Sequence, residues 1–217
     1  MKYPVPNVVK QVVLGSLLGD GHIRQKMYKD KPCNAHLIIN HCNKQKEYLE
    51  WKNLLLGPYG GNVLKTKREQ YLLTGKSHPH MNPFMELVGR PKTITRKLLN
   101  QLDELGLAIW YQDDGTLGIE YHKRLDGTYG IKRRRIAIAT DGFSLKEQQI
   151  IQQYFKVVWD IDVSICRIKG SQYRLTMNYT NAQKFVALIE PYIVPCMKYK
   201  IDFNRPRVCQ NASLERV

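Results

Sequence analysis

The sequence predicts an α+β fold of two tandem αββαββα half-domains related by a pseudo-twofold axis, each with antiparallel strands. Three observations predict it. An apolar run ending in Asp-Gly occurs twice, over residues 12–21 and 107–115, and the terminal aspartates Asp20 and Asp114 stand 94 positions apart (114 less 20). The series of helical and strand patterns that follows the first run recurs after the second. A period of this length is too long for a solenoid unit and suits duplication of a whole domain. The boundaries fall at 1–92 and 104–217, with a linker over 93–103.

Each apolar run has the pattern of a helix closed by glycine, where left-handed backbone is cheapest. Gly15 and Gly19 are four apart and leave one face of the first helix nearly bare, while Ala108 gives the second a smaller notch. Bare faces let two helices pack backbone to backbone, which brings Asp20 and Asp114 together. A carboxylate at a helix C-terminus faces the negative end of the macrodipole, and a second carboxylate adds to the cost. The arrangement calls for a positive partner, and a hard divalent cation such as Mg²⁺, which prefers oxygen ligands, is suited to it. A single Asp-Gly is ordinary turn chemistry. Two copies in the same apolar setting point to a site.

Taken in order, residues 1–7 form a short arm before the first helix. Strands over 22–28 and 35–42 follow, with Leu37 and Ile39 on one face and His36, Ile38 and Asn40 on the other. An amphipathic helix over 44–56 ends at Gly57-Pro58. A hairpin over 63–68 and 71–74 precedes a short helix at 83–88. After a basic crossing segment at 89–102, the second helix covers 104–114, and strands follow near 117–123 and 131–140. Ser144 with Glu147 three residues on is a capping box opening a helix to about 158. Strands at 162–169 and 172–177 lead to a helix over 180–192, and the tail from 195 has no clear period.

Composition narrows the class of function. The chain of 217 residues can bury a core, its hydrophobic fraction of 43% is ordinary, and its net charge of +15 is not. Together with a pI near 9.6, that charge points to a polyanionic partner, foremost nucleic acid. No run of about 18 apolar residues and no signal peptide occurs, so no membrane role is expected. Five cysteines without a CxxC pair suggest reduced thiols in an intracellular setting: a bacterial or phage cytoplasm, a mitochondrion or a chloroplast. Cys33, His36, His41 and Cys42 match no usual zinc spacing. His36, Asn40 and His41 crowd onto one strand, which is not the layout of a histidine-metal nuclease.

The two runs resemble the signature of the LAGLIDADG homing endonucleases in their single-chain, two-motif form. Asp20 and Asp114 match the family's metal-binding acidic residue, and Gly15, Gly19 and Ala108 match its small packing positions. Ser16 and Ile109 depart from the pattern. The resemblance implies a saddle of two four-stranded sheets that binds double-stranded DNA. It also implies hydrolysis of one phosphodiester in each strand of a long target, with short 3′ overhangs. The implied cofactor is Mg²⁺, with Mn²⁺ able to substitute, and the implied state is a monomer. The gene would lie in an intron or an intein or stand alone, although a chain that starts near the first motif carries no splicing-junction chemistry.

Strands that enter a major groove alternate between core and nucleic acid. Arg133 and Arg135 oppose the core-facing Ile136 and Ile138 and are candidates for DNA contact. Arg24, Lys26, His36, Asn40, Lys65, Lys67, Arg167, Lys169 and Arg174 occupy strands or hairpin ends in the same way. Metals bridged by acidic residues supply the nucleophile, charge stabilisation and leaving-group assistance that phosphodiester hydrolysis needs. Asp20 and Asp114 take that role, each serving one strand, with oxygen ligands added by Gly19 and Asp113 through their carbonyls. Gln112 is placed to orient water. Lys92 and Lys200 look like the lysines the family returns to each active site, to stabilise transition-state charge. Two alternatives share the scaffold: an RNA-binding intron maturase, with its own intron RNA as partner, and a non-cleaving DNA-binding regulator.

Overall fold

A computed structural model describes residues 4–89, 92–170 and 172–206. The first half runs α1 (Asn7–Leu18), β1 (Gly21–Tyr28), β2 (Lys31–Cys42), α2 (Lys46–Leu56), β3 (Gly61–Lys65), β4 (Gln70–Gly75) and α3 (Asn82–Val88). After a one-turn helix α4 (Arg96–Leu99) the second half repeats the order. It contains α5 (Glu104–Asp114), β5 (Gly115–Lys123), β6 (Tyr129–Ile138), α6 (Leu145–Trp159), β7 (Ser164–Lys169), β8 (Gln172–Met177) and α7 (Tyr179–Ile189). The sheets share one topology, β1-β2-β4-β3 and β5-β6-β8-β7, and every pairing is antiparallel. No helix among the described residues is long and apolar enough to cross a membrane.

Two stretches gained structure that the sequence pattern did not show. The crossing segment forms α4 because Thr95 caps it through Oγ1, accepting from Leu98 N at 3.2 Å, and because Leu98 and Leu99 are buried. The tail turns into a 3₁₀ helix, Pro195–Lys200, that buries Met197 and Lys200. The strand expected over 131–140 runs to Ile138, and Ala139 N adds one more rung to the same register by donating to the carbonyl of Asp114. The capping box on α6 forms as the spacing predicts, and Glu147 Oε1 also accepts from Ile94 N at 2.8 Å, tying the linker to the helix.

The stretches Gln11–Leu18 of α1 and Leu105–Gln112 of α5 are buried on every side between the two halves. Leu14, Trp110 and Tyr111 are fully buried. The two helices cross at backbone distance. A Cβ on Gly15 would lie 2.5 Å from the Gly106 carbonyl oxygen and 2.8 Å from Ile109 Cβ, and one on Gly19 would collide with the Asp113 side chain. The α5 stripe facing α1 is therefore Gly106, Ile109 and Asp113, at helical spacing. Ala108 is rotated roughly 100° away from it. Gly106 supplies the notch expected of Ala108, and Ile109 fits against the bare face of Gly15. Nor do the closing glycines use left-handed backbone: Gly19 has φ −96° and Gly115 φ −79°. They are small because space demands it.

Gly15→Val should lower the unfolding free energy by about 1–3 kcal/mol, the usual cost of overpacking. Urea denaturation that shows no loss of stability would mean that the helices do not cross this closely.

Candidate active site

The crossing sets the last turns of α1 and α5 side by side. Asp114 is the last residue of α5, and Asp20 stands two residues past the end of α1. The Asp114 carboxyl is pushed up to about 7, first by burial and then by the charges of Asp20 and Asp113, against the opposing pull of Lys92 and Lys200. For Asp20 burial also raises the pKa, but the hydrogen bond and charge of His41, helped by Lys52 and Lys200, leave it below its ordinary value. One carboxylate is satisfied and the other is in deficit of positive charge. Carboxylate oxygens at two helix C-termini form a hard donor set, and a divalent cation fits it.

Asp113, between these residues in space, is occupied differently. Its side chain is fully buried, and Oδ1 receives Lys52 Nζ at 2.6 Å and Tyr48 Oη at 2.8 Å. Its Oδ2 accepts the backbone N–H of Asp20 at 3.2 Å. His41 stands between the aspartates, with Nδ1 3.3 Å from Asp20 Oδ2 and Nε2 3.6 Å from Asp113 Oδ1. Asp20, His41 and Asp113 thus bring potential ligand atoms within 4.8 Å of one another. The trio is nevertheless a poor cation site, because the Lys52 ammonium already lies against Asp113 and 3.2 Å from His41 Nε2. Burial lowers the Lys52 pKa and Asp113 opposes that shift. The Asp113 carboxylate is the internal counter-ion of Lys52, and the pair locks α2 of one half to α5 of the other.

Lys92 Nζ donates to the Leu17 carbonyl at 2.8 Å, and Lys200 Nζ donates to Gln112 O at 2.6 Å and Asp113 O at 3.3 Å. Each lysine therefore sits on the open carbonyls of one signature helix, where a cation is favoured. Burial lowers both pKa values. The Asp113 carbonyl, expected as a metal ligand, accepts from Lys200. Gln112 does not face the carboxylates: its amide donates to Ala108 O and Tyr192 O and accepts from Val194 N, so it anchors the segment after α7. Gly19 packs on the Asp113 side chain.

The sheet registers sort the expected nucleic-acid contacts. Arg24 pairs with His36, and Asn40 with Leu72, on the face of the first sheet turned away from the core. Lys26, at a register shift, is exposed beside them. Arg133, Arg135 and Arg174 hold the corresponding face of the second sheet, and Lys169 joins it opposite Gln172. Arg174 is already bonded to Asp141 through two nitrogens, at 2.8 and 3.3 Å. Lys65 and Arg167 do not share that face. They are in register with Tyr71 and Tyr173, one residue out of phase, and are engaged by Glu69 and by the Gly170 carbonyl. Lys67 lies in the turn after β3.

Removing Lys52 leaves a buried carboxylate without its partner. Lys52→Met should therefore destabilise the fold by about 3–5 kcal/mol, and Lys52→Met with Asp113→Leu should recover much of it. A double-mutant cycle with no coupling in chemical denaturation would contradict the pair.

A sequence profile of the LAGLIDADG DNA endonuclease family matches residues 10–185. The RecA protein of Mycobacterium leprae is 32% identical over 202 residues, covering 88% of this chain and 27% of that protein. The chain thus spans only about a quarter of that relative's length. A probable intron-encoded endonuclease of Wickerhamomyces canadensis is 25% identical over 211 residues, covering 91% of this chain and 85% of the relative. The structure of the homing endonuclease I-WcaI bound to its DNA recognition sequence superposes with a TM-score of 0.76 at 23% identity, covering 92% of this chain and 88% of that one. That likeness is one of fold. With the profile spanning both signature helices and both sheets, the chain belongs to the LAGLIDADG DNA endonuclease family.

Proposed function

We propose that the chain is a sequence-specific endonuclease that hydrolyses one phosphodiester in each strand of a long double-stranded DNA target, with Mg²⁺ as cofactor, Mn²⁺ able to replace it, and short 3′ overhangs as product. The observation that carries this reading is the meeting of Asp20 and Asp114, one from each half, at the ends of two helices that cross at backbone distance. Asp20 and Asp114 are the residues that would hold the metal. When bound, a divalent cation there supplies a more acidic water and offsets charge on the attacking and leaving oxygens.

The chain's own groups account for the rest. Lys92 and Lys200 fix positive charge at the two helix ends, where a scissile phosphate would gather negative charge. Asp113, neutralised by Lys52, holds the backbone of Asp20 through its N–H and so aims that carboxylate. His41 contacts the same carboxylate from β2. The outward faces of the two sheets carry Arg24, Lys26, Arg133 and Arg135 to the phosphates and base edges of the duplex.

Asp20→Asn and Asp114→Asn should each reduce cleavage of a selected target by on the order of 100-fold or more, the scale for losing one electrostatic stabiliser. Binding of the uncut duplex in Ca²⁺ should persist and weaken steeply with salt. Binding without cleavage by the unmodified chain, in both Mg²⁺ and Mn²⁺, would point instead to a non-cleaving DNA-binding protein.

A further inference from the structure

The outward sheet faces differ in chemistry, and the difference predicts what each half reads. On the first sheet, Asn40, Leu72 and Leu64 stand in one row across β2, β4 and β3, in register. Asn40 Nδ2 donates to Gln70 Oε1 at 3.0 Å. Whichever way the two amides face, bonding to each other leaves one acceptor and one donor free. Beside them Leu64 is 63% exposed, directly opposite Leu72. Strands lie about 4.8 Å apart, so the amide pair and the two leucines form adjacent polar and apolar patches.

The second sheet has no such row. Arg135 Nη2 reaches Glu120 Oε1 at 3.4 Å, with the two side chains 52% and 41% exposed. Gly118, in register with Arg135, leaves the lane between them open. The pair offers an arginine fork and a carboxylate acceptor together.

Base pairs in the major groove present matching patterns. Adenine offers an acceptor and a donor side by side, and its partner thymine adds a methyl group. Guanine offers two acceptors, and its partner cytosine a donor. We infer that each cross-strand cluster recognises a whole base pair: Asn40–Gln70 with Leu72 and Leu64 an A·T pair in one half-site, and Arg135 with Glu120 a G·C pair in the other. The target is then chemically lopsided even though the two sheets share one topology. The inference rests on the endonuclease reading and adds to it which base pairs the two halves specify.

The test is selection from a randomised duplex library in Ca²⁺ with the full chain, run beside Asn40→Ala, Arg135→Gln and a Leu64→Ala/Leu72→Ala variant. These side chains are exposed or half-buried, and melting temperatures should match the parent. Asn40→Ala should flatten the preference at one A·T position about tenfold, and Arg135→Gln at one G·C position in the opposite half-site. Replacing that thymine by uracil should weaken parent binding about fourfold, the worth of one buried methyl, and leave the double leucine variant unaffected. A parent chain that enriches no sequence overturns the sequence-specific reading, and this inference with it. A parent that enriches a target at which the variants change nothing, or change the opposite base pairs, overturns this inference alone.

Discussion

The close crossing of α1 and α5 is the constraint from which the rest follows. With Gly15 against the Gly106 carbonyl and Gly19 against the Asp113 side chain, the helices leave no room for a Cβ at either glycine. That contact places three aspartates, Asp20, Asp113 and Asp114, around the negative ends of two helices. Such an accumulation persists in a fold only if positive charge is delivered to it. Lys52 comes from α2, Lys92 from the segment after α3 and Lys200 from the 3₁₀ helix near the C-terminus. Lys52 saturates Asp113. Burial and the neighbouring carboxylates raise the Asp114 carboxyl to about 7, against the opposing pull of Lys92 and Lys200.

The duplication is close in topology but unequal in chemistry. In the first half the end of β2 is joined to α2 by His41 and Lys52, a polar pair reaching across to Asp113. In the second half Thr140, two residues past β6, is joined to Gln148 of α6, a neutral buried pair whose hydrogen bonds close on each other. The Asp20 side of the site therefore has a histidine and a lysine that the Asp114 side lacks. The sheets diverge in the same way: the Asn40–Gln70 amides with Leu64 and Leu72 stand on one outward face, and the Arg135–Glu120 pair on the other. Once both halves share one chain, nothing compels the two sites, or the two half-sites they would read, to stay alike.

Much of the fold was legible because its signals were local. The repeated Asp-Gly run located both signature helices, alternation from Arg133 to Ile138 gave the correct core face, and Ser144 with Glu147 marked the start of α6. Gly106 could have been found from its spacing to Ile109 and Asp113, but Ala108 sits closer to the motif and drew the notch assignment. The Lys52–Asp113 pair had no local signal: the partners are 61 residues apart, and a lysine on an amphipathic helix looks like a solvated one until tertiary structure buries it. Lys65 and Arg167 were misplaced by strand phase, since one residue moves a side chain to the other face. Gln112 shares its helix end with the acidic pair, but its rotation about the axis turns it to the 192–194 backbone.

Whether Asp20 and Asp114 jointly hold the metal decides whether the two helix ends form one active site. The direct test is a crystal of the chain with its selected duplex and Mn²⁺, measured by anomalous diffraction. Manganese peaks should be coordinated by the carboxylates of Asp20 and Asp114, with Asp113 still bonded to Lys52. A peak held by Asp20, His41 and Asp113 with Lys52 displaced would contradict joint coordination, as would a fully cut duplex with no metal between the two helix ends.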